Sequence, residues 1–257
     1  MDNPVGSLPA KATDPLTGGV WGPWPTVGFG LVILVVSLFV QFLTAIVFGL
    51  LWAASDGALN FAQLEEAFPA IEGLVVSVAM FVDTPVSIGL IAVFIKVRGG
   101  LPVAEYLGLK RISKKTVFVV LAVTAAFIAA SGAVAVILQQ PGSEFMTDIY
   151  SSSVFPPLLW LAVIVFAPAS EEALFRGFLF EGLRRSRIGL AGAIVLPAAV
   201  WSLFHFQYGL YEIVTIFFLG VLFGIVRFKT GSLWSVLLMH AFGNLIAMLA
   251  VALNVNI

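Results

Sequence analysis

Long, mainly apolar runs recur along this chain, and no other feature limits its fold so strongly. The hydrocarbon core of a bilayer is about 30 Å thick, so a helix needs roughly 20 apolar residues to cross it. Seven runs meet or approach that length: Val27–Ala53, Ile71–Ile95, Thr116–Leu138, Pro157–Leu183, Gly189–Phe206, Leu210–Phe228 and Ser232–Leu253. The second is interrupted by Asp83 and Pro85, where a break in the helix would leave Asp83 to cap it or to line a cavity. In lipid each backbone N–H and C=O needs a partner within the protein, which runs of this length find only as helices. The expectation is an all-α, polytopic transmembrane bundle of about seven spans. Of 257 residues 60% are apolar and 11% charged, too little polar surface for a soluble domain.

Three sections follow. Residues 1–26 form a Pro/Gly-rich tail, 27–154 hold three spans, and 155–253 hold four spans with most of the buried polar residues. The run from Val27 is about twice a signal-peptide core of roughly 7–15 residues, so it reads as a retained membrane helix. Lys and Arg favour the cytoplasmic side of a membrane. With the tail inside, Lys11, Lys96–Lys115, Arg184–Arg187 and Arg227–Lys229 hold all but one of the 13 Lys and Arg residues on that side. The other loops carry Asp56, Glu65, Glu66, Glu144 and Asp148 and no cation. The expected location is the plasma membrane of a prokaryote, multi-pass, with the N-terminus cytoplasmic. Net charge is −1 with no long basic run, so the bilayer is the expected partner and nucleic acid is not. Zero cysteines exclude disulfides, thiol nucleophiles and Cys-ligated metals.

Ionisable groups cost a few kcal/mol at mid-membrane, so function is sought where they occur. Glu171, Glu172 and Arg176 share the fourth span, His205 lies in the fifth, and His240 and Asn244 lie in the seventh. Glu172 and Arg176 are i,i+4 and meet on one helix face. Glu171 points about 100° away and has no such partner; a desolvated carboxylate of that kind accepts protons readily. His240 and Asn244 are also i,i+4 and aim at one spot. A carboxylate, two imidazoles and a carboxamide are parts for activating water and binding an oxyanion. Depth gives one tension. Glu171 lies about 20 Å from Arg184 and His240 about 17 Å from Lys229, both near mid-membrane. His205 lies about 27 Å from Arg187, too far out unless Ile188–Gly192 is partly loop or the span is tilted or misplaced. Gly220 and Gly224 have the GxxxG spacing that permits close helix packing.

Glu171-Glu172-Ala-Leu-Phe-Arg176 resembles the EExxxR motif of the CPBP family, which contains CAAX prenyl endopeptidases and bacteriocin-processing or immunity-type membrane proteins. His205 with Trp201 resembles the second motif, FxxxH, with Trp in place of Phe, a change that keeps the packing role. His240-Ala-Phe-Gly-Asn244 resembles the third, HxxxN. The resemblance covers about Phe155 to Ala250 and does not extend to the first three spans.

The resemblance implies an intramembrane endopeptidase of the CAAX-protease type that cuts a hydrophobic or prenylated peptide. Glu171 would activate the water, and His205 would assist or orient it. His240 and Asn244 would hold the oxyanion, and Glu172 with Arg176 would hold the site together. Glu171, His205 and His240 match the ligand count of catalytic zinc, yet no HExxH is present, so a divalent metal is left open. Alternatives are a non-enzymatic immunity or scaffold protein, and a proton-coupled transporter, whose expected inverted repeat is not visible. The physiological substrate and oligomeric state are not written in the sequence.

Overall fold

The computed structural model describes residues 19–55 and 61–254, with the side chains of 61–67 left aside. Lys11, Asp56, Glu65 and Glu66, used above for orientation, lie outside the described residues or side chains. The architecture is all-α, with no strand among the described residues. Six helices are long and apolar enough to cross a membrane, and a shorter apolar one joins them, so about seven spans is plausible. The protein is an integral, multi-pass membrane protein.

In chain order the spans are α1 (Pro23–Ser55), α2 (Phe61–Arg98), α4 (Lys114–Ile137), α6 (Pro156–Arg184), α7 (Gly189–Leu203), α8 (Leu210–Thr230) and α9 (Leu233–Ala252). Two short helices, α3 (Val103–Tyr106) and α5 (Glu144–Ser151), sit in the linkers. Helix ends follow local chemistry. Ser113 and Ser143 accept backbone N–H bonds at the starts of α4 and α5. Gly231 closes α8 at φ +63°, a left-handed conformation that glycine adopts without a Cβ clash. α1 begins at Pro23.

α6 is the centre of the bundle. Half of its most apolar stretch is buried, against 6% for α1. It is not a uniform α-helix: Ala162–Phe166 and Ala173–Leu179 are π-helical turns. Such wide turns re-aim the residues around them and are frequent at functional sites. The second begins immediately after Glu172 and contains Arg176.

Two expectations fail. α2 runs unbroken through Pro85. Asp83 neither caps a break nor lines a described cavity; it ties α1 to α2. Its Oδ2 accepts from Ser37 Oγ at 2.7 Å and Gln41 Nε2 at 3.2 Å, and its Oδ1 from Ser87 Oγ at 3.1 Å. Three neutral donors satisfy the buried carboxylate without a cation. The fifth span ends at Leu203, short of Phe206. His205 therefore sits in the turn after α7.

The basic linkers gather at one end. Arg98 Nε donates to Val20 O at 3.1 Å, Arg227 Nη2 to Leu107 O at 3.2 Å, and Leu233 N to Gly108 O at 2.8 Å. Glu181 there pairs with Arg227 at 3.1 Å and Arg184 at 2.7 Å. Burial pushes the nearby Tyr106 phenol up to about 12.

Candidate active site

α6 splits its two glutamates between opposite surroundings. Glu172 is fully buried, and its Oε1 accepts from Arg176 Nη1 at 3.0 Å and from His240 Nδ1 at 2.9 Å. Its Oε2 is buried with no hydrogen-bond partner. Arg176 reaches on to Gly220 O at 3.2 Å and lies over the Trp201 ring at 4.4 Å. The expected i,i+4 pair therefore forms, deep behind the site. Glu171 instead faces a cavity of about 510 Å³ between α2, α4, α6, α8 and α9.

Glu171 is not unpartnered, as its helix position alone suggested. Trp201 Nε1 donates to its Oε2 at 2.5 Å. A phenylalanine in the family pattern packs there but cannot make this bond, so the sequence reading missed a polar role for Trp201. The signal was the departure from the motif itself. Oε1 of Glu171 is left for the cavity.

Both imidazoles are held by the same nitrogen. His205 Nδ1 lies 2.8 Å from Trp201 O, and His240 Nδ1 lies 2.9 Å from Glu172 Oε1. Both partners are oxygen acceptors, so each Nδ1 carries the proton and each Nε2 is freed for other work. The two rings meet the Trp201 indole edge-on, at 5.1 and 5.3 Å between centroids. Asn244 shares the cavity and gives one N–H to Val163 O, in the first π-turn of α6, at 2.7 Å. Its second amide N–H is unused by that bond.

All four cavity-facing residues named from sequence thus converge: Glu171, His205, His240 and Asn244 line one space. Glu172 and Arg176 stand behind it. Tyr208, Tyr211 and Glu212, not singled out from sequence as site residues, also line it. Tyr208 stacks on His205 at 5.9 Å and donates to Met146 Sδ at 3.1 Å; burial and the negative charge of Glu171 and Glu212 keep its phenol neutral, with its pKa raised. Tyr211 donates to Ser131 O, pinning α8 to α4. Their signal was spacing, since Tyr208 and Glu212 follow His205 and Tyr208 by a turn each. Ser170 and Ser202 are spent on their own helix carbonyls and offer no nucleophile.

The zinc set does not assemble. Among the described residues no group of three or more His, Cys, Asp or Glu is arranged to hold a metal ion. Each of Glu171, His205 and His240 instead touches the Trp201 indole, the carboxylate through its N–H and the imidazoles edge-on.

Comparison with known proteins reaches the same segment. Residues 153–246 match the family described as type II CAAX prenyl endopeptidase Rce1-like. An Escherichia coli protein described as an uncharacterized 24.3 kDa protein is 30% identical over 110 residues, covering 40% of this chain and 49% of that protein. The chain therefore spans about half the length of that relative. No solved structure matches it. The matched segment contains Glu171, Glu172, Arg176, His205, His240 and Asn244, so the similarity to the type II CAAX prenyl endopeptidase Rce1-like family falls on the residues that line or back the cavity.

Proposed function

We propose that the protein is an intramembrane endopeptidase of the CAAX-protease type, acting on a hydrophobic or lipidated peptide without a resident metal. One observation carries the reading: a cavity-facing carboxylate shares its space with two imidazoles, each tied through Nδ1 so that Nε2 is available.

In this reading a water lies between Glu171 Oε1 and His205 Nε2. Glu171 takes one of its protons as the oxygen attacks the scissile carbonyl carbon, whose oxygen becomes an oxyanion. Asn244 donates its second N–H to that oxyanion. His240 donates from Nε2 when protonated, and Glu172 compensates the imidazolium through Nδ1. The C–N bond then breaks, and Glu171 returns the proton to the leaving amine, so protons balance over the cycle. Partial burial strengthens each of these contacts relative to water.

The test is cleavage of a panel of prenylated and unprenylated hydrophobic peptides by protein purified in detergent. Glu171→Gln keeps the side-chain shape and removes the base, and is expected to lower turnover by about 10²–10⁴-fold. His240→Ala and Asn244→Ala each remove an oxyanion donor, at about 10²–10³-fold. A chelator is expected to leave the rate unchanged. Turnover that survives Glu171→Gln overturns the mechanism, and chelator-sensitive turnover overturns its metal-free form.

A further inference from the structure

We infer that the cavity admits its substrate from the membrane face opposite the basic linkers, which makes it the extracytoplasmic face, and that it favours a hydrophobic segment with a cationic flank at that end. The chemistry done there rests on the peptidase reading; the side of entry and the charge preference do not.

Helix direction fixes the end to which the cavity belongs. α2 runs toward the basic end at Arg98, and its cavity residues, Val76 and Met80, lie in the earlier half of its membrane-crossing stretch, Phe68–Arg98. α4 starts from that end at Lys114, and its cavity residues, Phe127 to Ala135, lie in its later half. α9 also starts there, and its lining continues to the far end at Val251 and Asn254. Spans of both directions therefore agree. The rim adds exposed Gly142, Thr147 and Gln207 from the far-side linkers. The Lys/Arg rule puts the opposite end in the cytoplasm.

Charge selects the occupant. The lining contains Glu171 and Glu212 and no Lys or Arg. α5, which borders the mouth, presents exposed Glu144 and Asp148. The described linkers at this end, 138–155 and 204–209, contain no cation. Walls from α4 and α8, such as Phe127, Ile128 and Leu219, suit an apolar chain. An apolar segment bearing Lys, Arg or a free amine at its outer end complements both features. Because membrane segments normally keep Lys and Arg inside, that flank is a discriminating mark.

The absence of cysteine permits a direct test by single-cysteine labelling of the full chain in cells. Gln207→Cys at the mouth is expected to react with a membrane-impermeant maleimide in intact cells. Lys115→Cys in the basic linker is expected to react only after permeabilisation. Any other pattern overturns the sidedness. The charge preference is read by binding, with purified Glu171→Gln protein and fluorescent peptides of roughly 20 apolar residues flanked by Lys or by Glu. The Lys-flanked peptide is expected to bind about fivefold tighter at low salt, and adding Glu212→Gln is expected to bring the ratio to about twofold. Equal or reversed affinities, or no binding of either peptide, overturn the preference. Neither readout uses turnover, so a protein that binds and labels as expected but cleaves nothing contradicts the peptidase reading alone.

Discussion

Trp201 does three things in one side chain: its N–H binds Glu171, its face covers Arg176, and its edges pack both imidazoles. Trp201→Phe keeps the packing and removes the bond. A hydrogen bond to a charged group contributes roughly 1.5–3 kcal/mol, so kcat is expected to fall by about ten- to a hundredfold with little change in KM. Unchanged kcat would reduce Trp201 to packing. Behind it, Glu172 and Arg176 are buried with each other and with His240. Removing one member of a buried pair strands the other charge, at about 3–5 kcal/mol. Arg176→Met is therefore expected to lower the unfolding temperature in detergent sharply. The double variant Arg176→Met, Glu172→Met should lose less than the sum of the singles, because no charge is left stranded.

α8 approaches α6 and α7 closely because Gly220 and Gly224 present no side chain. A Cβ on Gly220 would lie 2.9 Å from Arg176 Nη2, 3.0 Å from Ala198 Cβ and 3.1 Å from Trp201. The GxxxG pair thus serves the active site as well as the helix contact, since Gly220 O also receives Arg176. Gly220→Leu is expected to cost about 1–3 kcal/mol by overpacking and to lower activity with it, because the guanidinium and indole must both move. A differential unfolding scan alongside the cleavage assay checks both. If stability falls and turnover holds, α8 spacing is independent of the site. The π-turns of α6 act at the same level, since one carries Val163, which receives Asn244, and the other carries Arg176.

The segment shared with the family does not stand alone in this molecule. Thr84 of α2 donates to Phe166 O in the first π-turn, and the Phe81 ring lies tilted against Phe166 with centroids 3.9 Å apart. Gly30 of α1 lies against Leu179, and Gly182 against Thr26. α4 packs on α9 and forms one wall of the cavity. A fragment of residues 153–254 is therefore expected to aggregate or to elute as a mixed species on size exclusion, and to lack activity. A monodisperse, active fragment would show that the first three spans are dispensable. The described residues of the first three spans thus contribute the scaffold and part of the cavity wall, although no motif marks them.

How much could be read before any fold was seen differs between these levels. Apolar run length determined the all-α membrane class, and the distribution of Lys and Arg grouped the linkers that the structure brings together, because both follow from transfer into lipid and not from contacts. Helical spacing alone paired Glu172 with Arg176, since i,i+4 neighbours meet whatever surrounds them. It could not find the Trp201–Glu171 bond, the shared Nδ1 anchoring of the two imidazoles, or the place of Asp83 as a link between α1 and α2. Apart from the bond of His205 to Trp201 O, one helical turn away, those contacts join residues 30 to 68 positions apart. The end of the fifth span at Leu203 and the side on which the cavity opens belong to the same group. Local pattern fixes which residues a helix presents, but only packing of one helix on another decides what they meet.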